Sequence, residues 1–350
     1  IDSLQQVKFI ITIFRLSLIN VKIAAEENMP ITIRQLEIFN AVVESGQVTK
    51  AAKNLLISQS AVSLALNEME NQLGGPLFDR TARCLELNDR GRYLLPLGRE
   101  ILDKLENLDH LMNEKDGQFA GTLHLVASST VGNYVLPYLI TAFKNLHPDV
   151  FFKMLVSNTT TSEQLVMDRA VDLAFVEGEV HNEQIVTMEW FQDELVLITR
   201  PINNSEEEVT CTLATDIKEY EWIMRESGSG TAQTFKRKLG KFITDLHVSM
   251  ELGHTEAIKK AVEAGAGIAC LSNLTVCKEI DAKRLQEIKI KDLDMKRQLF
   301  ILQHKNRTQT RLISEFLDFC LLLSQCKEGQ ACLTSPENLE KLVKQFIYGP

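Results

Sequence analysis

The sequence predicts an α/β chain in three parts: a small helical module closed by a two-stranded hairpin, one long helix, and a pair of linked α/β lobes. Three observations carry that expectation. Apolar residues recur at helical spacing through residues 32–73, with capping residues between the runs. A heptad-like apolar series follows from Asn88 to about Lys115. Beyond residue 120, short β-type runs alternate with amphipathic stretches, as βαβ units require.

The first helix starts at Thr32, an N-cap with Gln35 as its capping-box partner, and runs through Leu36, Phe39 and Val43 to Gly46. A second apolar set, Ala51, Ala52, Leu55 and Leu56, follows from Thr49 and stops at Ile57-Ser58. The third helix takes Ser58 as N-cap, buries Val62, Leu66, Met69 and Leu73, and ends at Gly74-Gly75-Pro76. Its N-terminal outer face offers Gln59, Ser60 and Ser63, short polar side chains that permit close approach to base edges. Two helices with a tight turn and such a tip suit insertion into a major groove.

Next, Phe78, Cys84, Leu85 and Leu87 around Thr81-Ala82-Arg83 read as a hairpin wing. Arg80 and Arg83 near its tip can reach phosphates, which set register without reading sequence. Residues 30–115 hold ten Lys/Arg against twelve Asp/Glu, so DNA contact rests on the placement of Lys50, Lys53, Arg80 and Arg83. The net charge of −9 for the whole chain likewise excludes a protein that coats nucleic acid generally.

The stretch RQLEIFNAVVESGQVTKAAKNLLISQSAVSLALNEMENQLGGPLFDRTARCLELNDRG resembles the N-terminal signature of LysR-type transcriptional regulators over nearly its whole length. The resemblance implies that Gln59, Ser60 and Ser63 face the groove, that Thr49 and Ser58 sit at helix N-termini near phosphates, and that Arg80 lies in the wing. The family often carries a basic residue just after the position of Ser63, where this chain has Leu64.

From Asn88, Leu94, Ile101, Leu105, Leu108 and Met112 form a coiled-coil seam, or else pack within the same chain. Similar regulators dimerise through such a helix, which presents two DNA modules to a pseudo-palindromic double-stranded promoter site. The expected partners of this part are therefore that DNA and a further copy or copies of the chain, as dimer or tetramer.

After Asp116-Gly117-Gln118, strands are expected at 122–127, 151–156, 173–176, 195–199, 222–224, 248–252, 268–271 and 298–303. Helices are expected at 134–146, 162–169, 231–243, 255–264 and 310 to about 322. The result is two lobes with a cleft between them, parallel βαβ in construction. Three strand ends carry hydroxyls, amides or a cation: Ser128, Ser129 and Thr130; Asn158, Thr159 and Thr160; and Arg225, Ser227, Ser229 and Thr231. Each cluster read alone is N-capping; together they suit an anion in the cleft. This half resembles the type II periplasmic-binding-protein-like effector domain of the same family. SSTVGNYVLP, SNTTTSEQLV, FVEG and RESGSGT are most similar to the sulfite-responsive and Calvin-cycle-operon branch, which implies an oxyanion such as sulfite or sulfate. Glu177 in FVEG either points away from that anion or selects a partly protonated one.

The expected boundaries are residues 29–88 for the winged helix-turn-helix and 89–116 for the linker helix. The effector domain spans 117–324, with lobe I at about 120–195 and 296–324 and lobe II at about 196–295, and a tail follows at 325–350. Residues 1–28 are expected to be a non-native or disordered extension, or an amphipathic helix. Their apolar run 7–23 is interrupted by Arg15 and Asn20 and falls short of a membrane span of about 18 residues or more. Seven scattered cysteines without a CxxC fit a reduced cytoplasm, and seven dispersed histidines build no metal shell. Neither cofactor nor enzymatic activity is expected: no nucleophile–base constellation is legible, and Ser227–Thr231 lacks the GK[ST] of a phosphate loop. Two other readings stay open, a solute-binding protein on the same cleft and a redox switch at Cys270 and Cys277.

Overall fold

The computed structural model describes residues 31–80, 85–113, 119–178, 180–201, 209–211, 217–290 and 293–325. The expectations for residues 1–28, for the wing tip with Arg83, and for the tail beyond Gln325 lie outside these residues. The chain divides into two compact units, with the boundary between Glu106 and Asn107.

In the first unit, α1 (Ile33–Ser45) begins with the expected reciprocal cap. The Thr32 hydroxyl accepts from the Gln35 N–H at 3.2 Å and Gln35 Oε1 accepts from the Thr32 N–H at 2.8 Å. Gly46, at φ +65°, ends the helix in the left-handed conformation that glycine adopts without penalty. α2 (Val48–Asn54) and α3 (Gln59–Gln72) follow, the latter capped by Ser58 Oγ accepting from Ala61 N–H at 3.1 Å. Leu56 departs from expectation. It makes the turn between α2 and α3 at φ +55° and is 92% exposed, so it belongs to no apolar face.

Phe39, Val42, Ala51, Val62, Leu66 and Met69 fill the core under the hairpin of β1 (Phe78–Arg80) and β2 (Leu85–Leu87). The long helix α4 (Asp89–Asn113) starts where Asn88 Oδ1 accepts from Gly91 N–H at 3.0 Å. A Cβ at Gly91 would lie 2.2 Å from the Leu77 carbonyl oxygen, so only glycine lets α4 meet the hairpin here. The apolar seam is shifted from the expected one. Leu95 is buried in the core with Leu94 and Leu102 packed on it, while Tyr93, Leu97, Ile101 and Leu108 form an exposed stripe.

In the second unit, β3 (Gly121–Ser128) pairs in parallel with β4 (Val150–Ser157) and β5 (Leu173–Glu177). Likewise β8 (Glu221–Arg225) lies parallel to β9 (His247–Leu252) and β10 (Ile268–Ser272). The expected parallel units are thus present within each lobe, but the joining strands are antiparallel. β6 (Ile185–Thr199) and β12 (Lys296–His304) pair along Ile185–Glu194, and β6 continues into the second lobe against β10. The expected strand at 195–199 is only the last third of β6. The short β7 (Val209–Cys211) and β11 (Gln286–Ile290) attach beside it.

Strands β3, β5, β8 and β10 are buried on both faces, which is why they read as continuous apolar runs. Around them lie α5 (Ser129–Tyr134), α6 (Leu136–Leu146), α7 (Thr159–Met167), α8 (Gly230–Leu239), α9 (Thr255–Glu263), α10 (Asn273–Asp281) and α11 (Arg311–Gln325). Three corrections concern helix ends. The helix expected at 134–146 is preceded by a separate short helix from Ser129, with Val135 between them. α7 begins at Thr159, not Ser162, because Asn158 supplies its cap by accepting from Thr161 N–H at 2.9 Å. α8 stops at Leu239, where Gly240 at φ +54° turns the chain into a 3₁₀ segment.

Candidate functional sites: a polar helix tip and an inter-lobe cleft

On the first unit, Thr49, Lys50 and Lys53 of α2, with Ser58, Gln59 and Ser60 at the tip of α3, are exposed, and Ser63 is half-buried. The tip is shaped by its own bonds: Ser58 Oγ lies 2.9 Å from Ser60 Oγ while it caps the helix. Leu64, 61% exposed, occupies the outer face of α3 one residue beyond Ser63. Arg80 ends β1.

On the second unit, the three predicted clusters meet at the lobe junction, but Ser128, Thr130 and Thr231 among them converge on the Glu177 carboxylate. This carboxylate, 1% exposed, ends β5 and points inward. Its Oε1 accepts from Ser128 Oγ at 2.9 Å and from Thr130 N–H at 3.0 Å; its Oε2 accepts from Thr231 Oγ1 at 3.0 Å and faces Arg297 Nη1 at 3.5 Å. Arg297, from β12, also donates to Asp193 of β6 at 2.7 Å, and Asp193 accepts from Ser272 Oγ at 2.8 Å. The network therefore ties β3, β5, α8 and both joining strands together. Burial opposes ionisation of Glu177, but Arg297, the Thr130 N–H, Arg225 and Ser128 outweigh it and hold the carboxyl below its ordinary range. Arg297 is held above its ordinary range by Asp193 and Glu177 in spite of burial.

Gly230 makes this convergence possible. A Cβ there would lie 2.0 Å from the Glu177 carbonyl oxygen and 2.5 Å from Thr159 Oγ1. Thr159 Oγ1 donates to that same carbonyl at 2.9 Å, and Thr160 N–H donates to the Gly228 carbonyl at 3.3 Å. Ser229 is spent as the cap of α8, accepting from Ala232 N–H at 3.4 Å. Ser227 N–H donates to Glu251 at 3.3 Å.

Beside this network lies a cleft of about 800 Å³. Of the predicted residues, Ser129 and Asn158 line it; Asn133, Tyr134, Glu226, His254, Thr255 and Glu256 also do, and sequence reasoning passed over them. The rule that located the other loops, polar residues after a strand, extends to Gly253-His254-Thr255 after β9 and would have found that wall. Arg225, 4% exposed at the end of β8, reaches Ser129 Oγ of one lobe at 3.3 Å and Thr255 Oγ1 of the other at 3.5 Å. At the rim, Tyr134 donates to Glu256 and accepts from Lys259 Nζ at 3.1 Å, a second bridge between lobes. Burial and the Glu256 bond push the Tyr134 phenol up to about 12.

Burial in β10 raises the Cys270 thiol far above its ordinary value, which disfavours the thiolate at this position. Among the described residues no cluster of three His, Cys, Asp or Glu is placed to hold a metal ion. No helix among them is long and apolar enough to cross a membrane.

Two family models match the chain: "Bacterial regulatory helix-turn-helix protein, lysR family" over residues 33–92 and "LysR substrate binding domain" over residues 116–323. The chain belongs to the LysR family of transcriptional regulators. This LysR-type regulator is 36% identical over 293 residues to the uncharacterized HTH-type transcriptional regulator YeiE of Escherichia coli K12, covering 83% of this chain and 98% of the relative. It is 31% identical over 296 residues to a probable RuBisCO transcriptional regulator of Synechocystis, covering 83% and 86%. Its fold is that of a full-length OxyR variant from Pseudomonas aeruginosa, with a TM-score of 0.65 at 16% identity over 83% of this chain and 98% of that one. The regulatory domain of Synechocystis CcmR, solved with 2-PG, gives 0.54 at 24% identity over 59% and 99%. A LysR-type regulator is not an enzyme, and its helix-turn-helix half sets aside the solute-binding-protein reading.

Proposed function

We propose that this regulator binds pseudo-palindromic promoter DNA in the cytoplasm as a homodimer or tetramer, and answers to a small oxyanion such as sulfite or sulfate held in the inter-lobe cleft. One observation carries the anion reading: the buried Arg225 guanidinium stands beside the cleft with Ser129 of one lobe and Thr255 of the other in reach. A cation flanked by hydroxyls from both lobes offers a charge-assisted site whose occupancy bears on lobe closure. Glu177 points away from the cleft, its oxygens taken by Ser128, Thr130 and Thr231, so it does not stand against the anion as a contact. The complex of the CcmR regulatory domain with 2-PG supports a small-ligand response in this fold.

For DNA, the polar tip of α3 supports major-groove entry, with Lys50, Lys53, Arg80 and Arg83 on phosphates. The exposed stripe Tyr93, Leu97, Ile101 and Leu108 on α4 supports self-association. Gel-shift with promoter fragments at moderate salt tests the first half: a sequence-preferring complex near 10⁻⁸ M, as an order of magnitude, is expected, and its absence refutes DNA reading. Thermal-shift screening with sulfite, sulfate, thiosulfate, phosphate and small carboxylates tests the second. An oxyanion at about a hundredfold its Kd adds about 2.7 kcal/mol of stability. A melting temperature raised by carboxylates alone overturns the sulfite or sulfate assignment.

A further inference from the structure

Arg225 does not stand in the cleft as an open cation. Its Nε donates to Glu226 Oε2 at 2.7 Å and its Nη2 to Glu226 Oε1 at 2.9 Å, a bidentate pair between neighbours in sequence. The two side chains differ in their surroundings. The Arg225 side chain is 2% exposed, whereas that of Glu226 is 23% exposed and lines the cleft. The guanidinium therefore already has its counter-ion, and Glu177 adds a second carboxylate to its field. An anion arriving at Ser129 and Thr255 meets a neutralised cation and a like charge within a few ångströms, in a partly desolvated site where that repulsion is poorly screened.

We infer that Glu226 is a resident competitor for Arg225, which an anionic co-inducer must displace in order to bind. The inference rests on the anion reading given above. Glu226 can leave because it reaches solvent; Arg225 cannot follow, because it is buried and held by hydroxyls of both lobes. The exchange is near balance only for a ligand that restores two parallel N–H···O bonds, so the site favours oxyanions presenting two oxygens on one edge over spherical anions such as chloride. The same residue couples occupancy to the next helix. The Glu226 carbonyl accepts from Ser229 N–H at 3.2 Å, and Ser229 caps α8.

The test is titration calorimetry on the full chain, comparing wild type, Glu226→Gln and the double variant Arg225→Gln/Glu226→Gln, with sulfite, sulfate, phosphate, acetate and chloride as probes. Glu226→Gln is expected to bind at least one of the four oxyanions about tenfold or more tighter than wild type, with chloride gaining less, and the double variant is expected to lose that gain. If the double variant does not fold, Ser129→Ala/Glu226→Gln serves in its place, with the same expectation of a reduced gain. Oxyanion binding that is equal in wild type and folded Glu226→Gln for every oxyanion bound overturns the inference and leaves the anion reading standing. A gain that survives removal of Arg225, or that is as large for chloride, also overturns it. Absence of any anion binding to either protein overturns the inference and the anion reading together.

Discussion

Replacing Glu177 by glutamine keeps the shape of the side chain and removes the charge on which both lobes converge. The wild-type carboxylate accepts from Ser128 Oγ, Thr130 N–H and Thr231 Oγ1 and faces Arg297. An amide has one acceptor oxygen, and if that oxygen stays with Ser128 and Thr130, the NH₂ group faces Thr231 and Arg297. The threonine hydroxyl can rotate to accept; the guanidinium cannot. Arg297 keeps Asp193 as counter-ion at 2.6 Å, which places the cost at the lower end of that for breaking a buried pair, about 3 kcal/mol. For a domain of this size that lowers Tm by roughly 6–12 °C.

The pH dependence follows from the same carboxyl. Its folded pKa lies below its unfolded one, so its stabilisation is complete above the ordinary carboxylate range near 4.3 and is lost as pH falls through the folded value. Scanning calorimetry of both proteins at pH 7 and at successively lower pH should show the full gap at neutrality and a narrowing gap in acid. A difference under about 2 °C at pH 7, or a gap unchanged in strong acid, would refute the claim that Glu177 anchors the lobe junction.

Three further outcomes are expected. Ile101→Glu combined with Leu97→Glu on the outer stripe of α4 should convert the assembly to monomer in sedimentation analysis, with the first unit still folded, since neither residue belongs to its core. Arg80→Ala should weaken DNA binding about equally on all sequences and reduce the salt slope by about 1, whereas Gln59→Ala should change the preferred sequence; competition gel-shifts separate the two. Tyr134→Phe deletes the bonds to Glu256 and Lys259 across the cleft rim. It should lower Tm by a few degrees, about 1 kcal/mol for a partly exposed bridge, and raise amide exchange in α9.

Sequence signals are legible wherever the cause of structure is local. Thr32 with Gln35, Ser58 and Asn88 all cap the helices they precede, because a cap depends on a few consecutive residues. The buried strands β3, β5, β8 and β10 stand out as apolar runs. β6 does not, since its first ten residues mix buried Trp190, Phe191 and Asp193 with exposed neighbours while the strand crosses from one lobe to the other. Leu56 misleads for a related reason: its left-handed backbone conformation is imposed by the turn that fits α2 against α3. The stripe on α4 is legible in part, and which of its leucines faces the core is decided by how the helix lies on α1.

By itself, the sequence determined the two-part organisation, the polar tip of α3, and the presence of hydroxyl-rich loops at the strand ends, since each of these is written in short stretches with their own periodicity. Only the tertiary structure decided what those loops do for one another. Glu177, Arg297 and Asp193 lie far apart along the chain and meet because two antiparallel strands join the lobes. Once they meet, the need to satisfy a buried carboxylate claims Ser128, Thr130 and Thr231, and leaves Ser129, Thr255 and the Arg225–Glu226 pair to form the cleft.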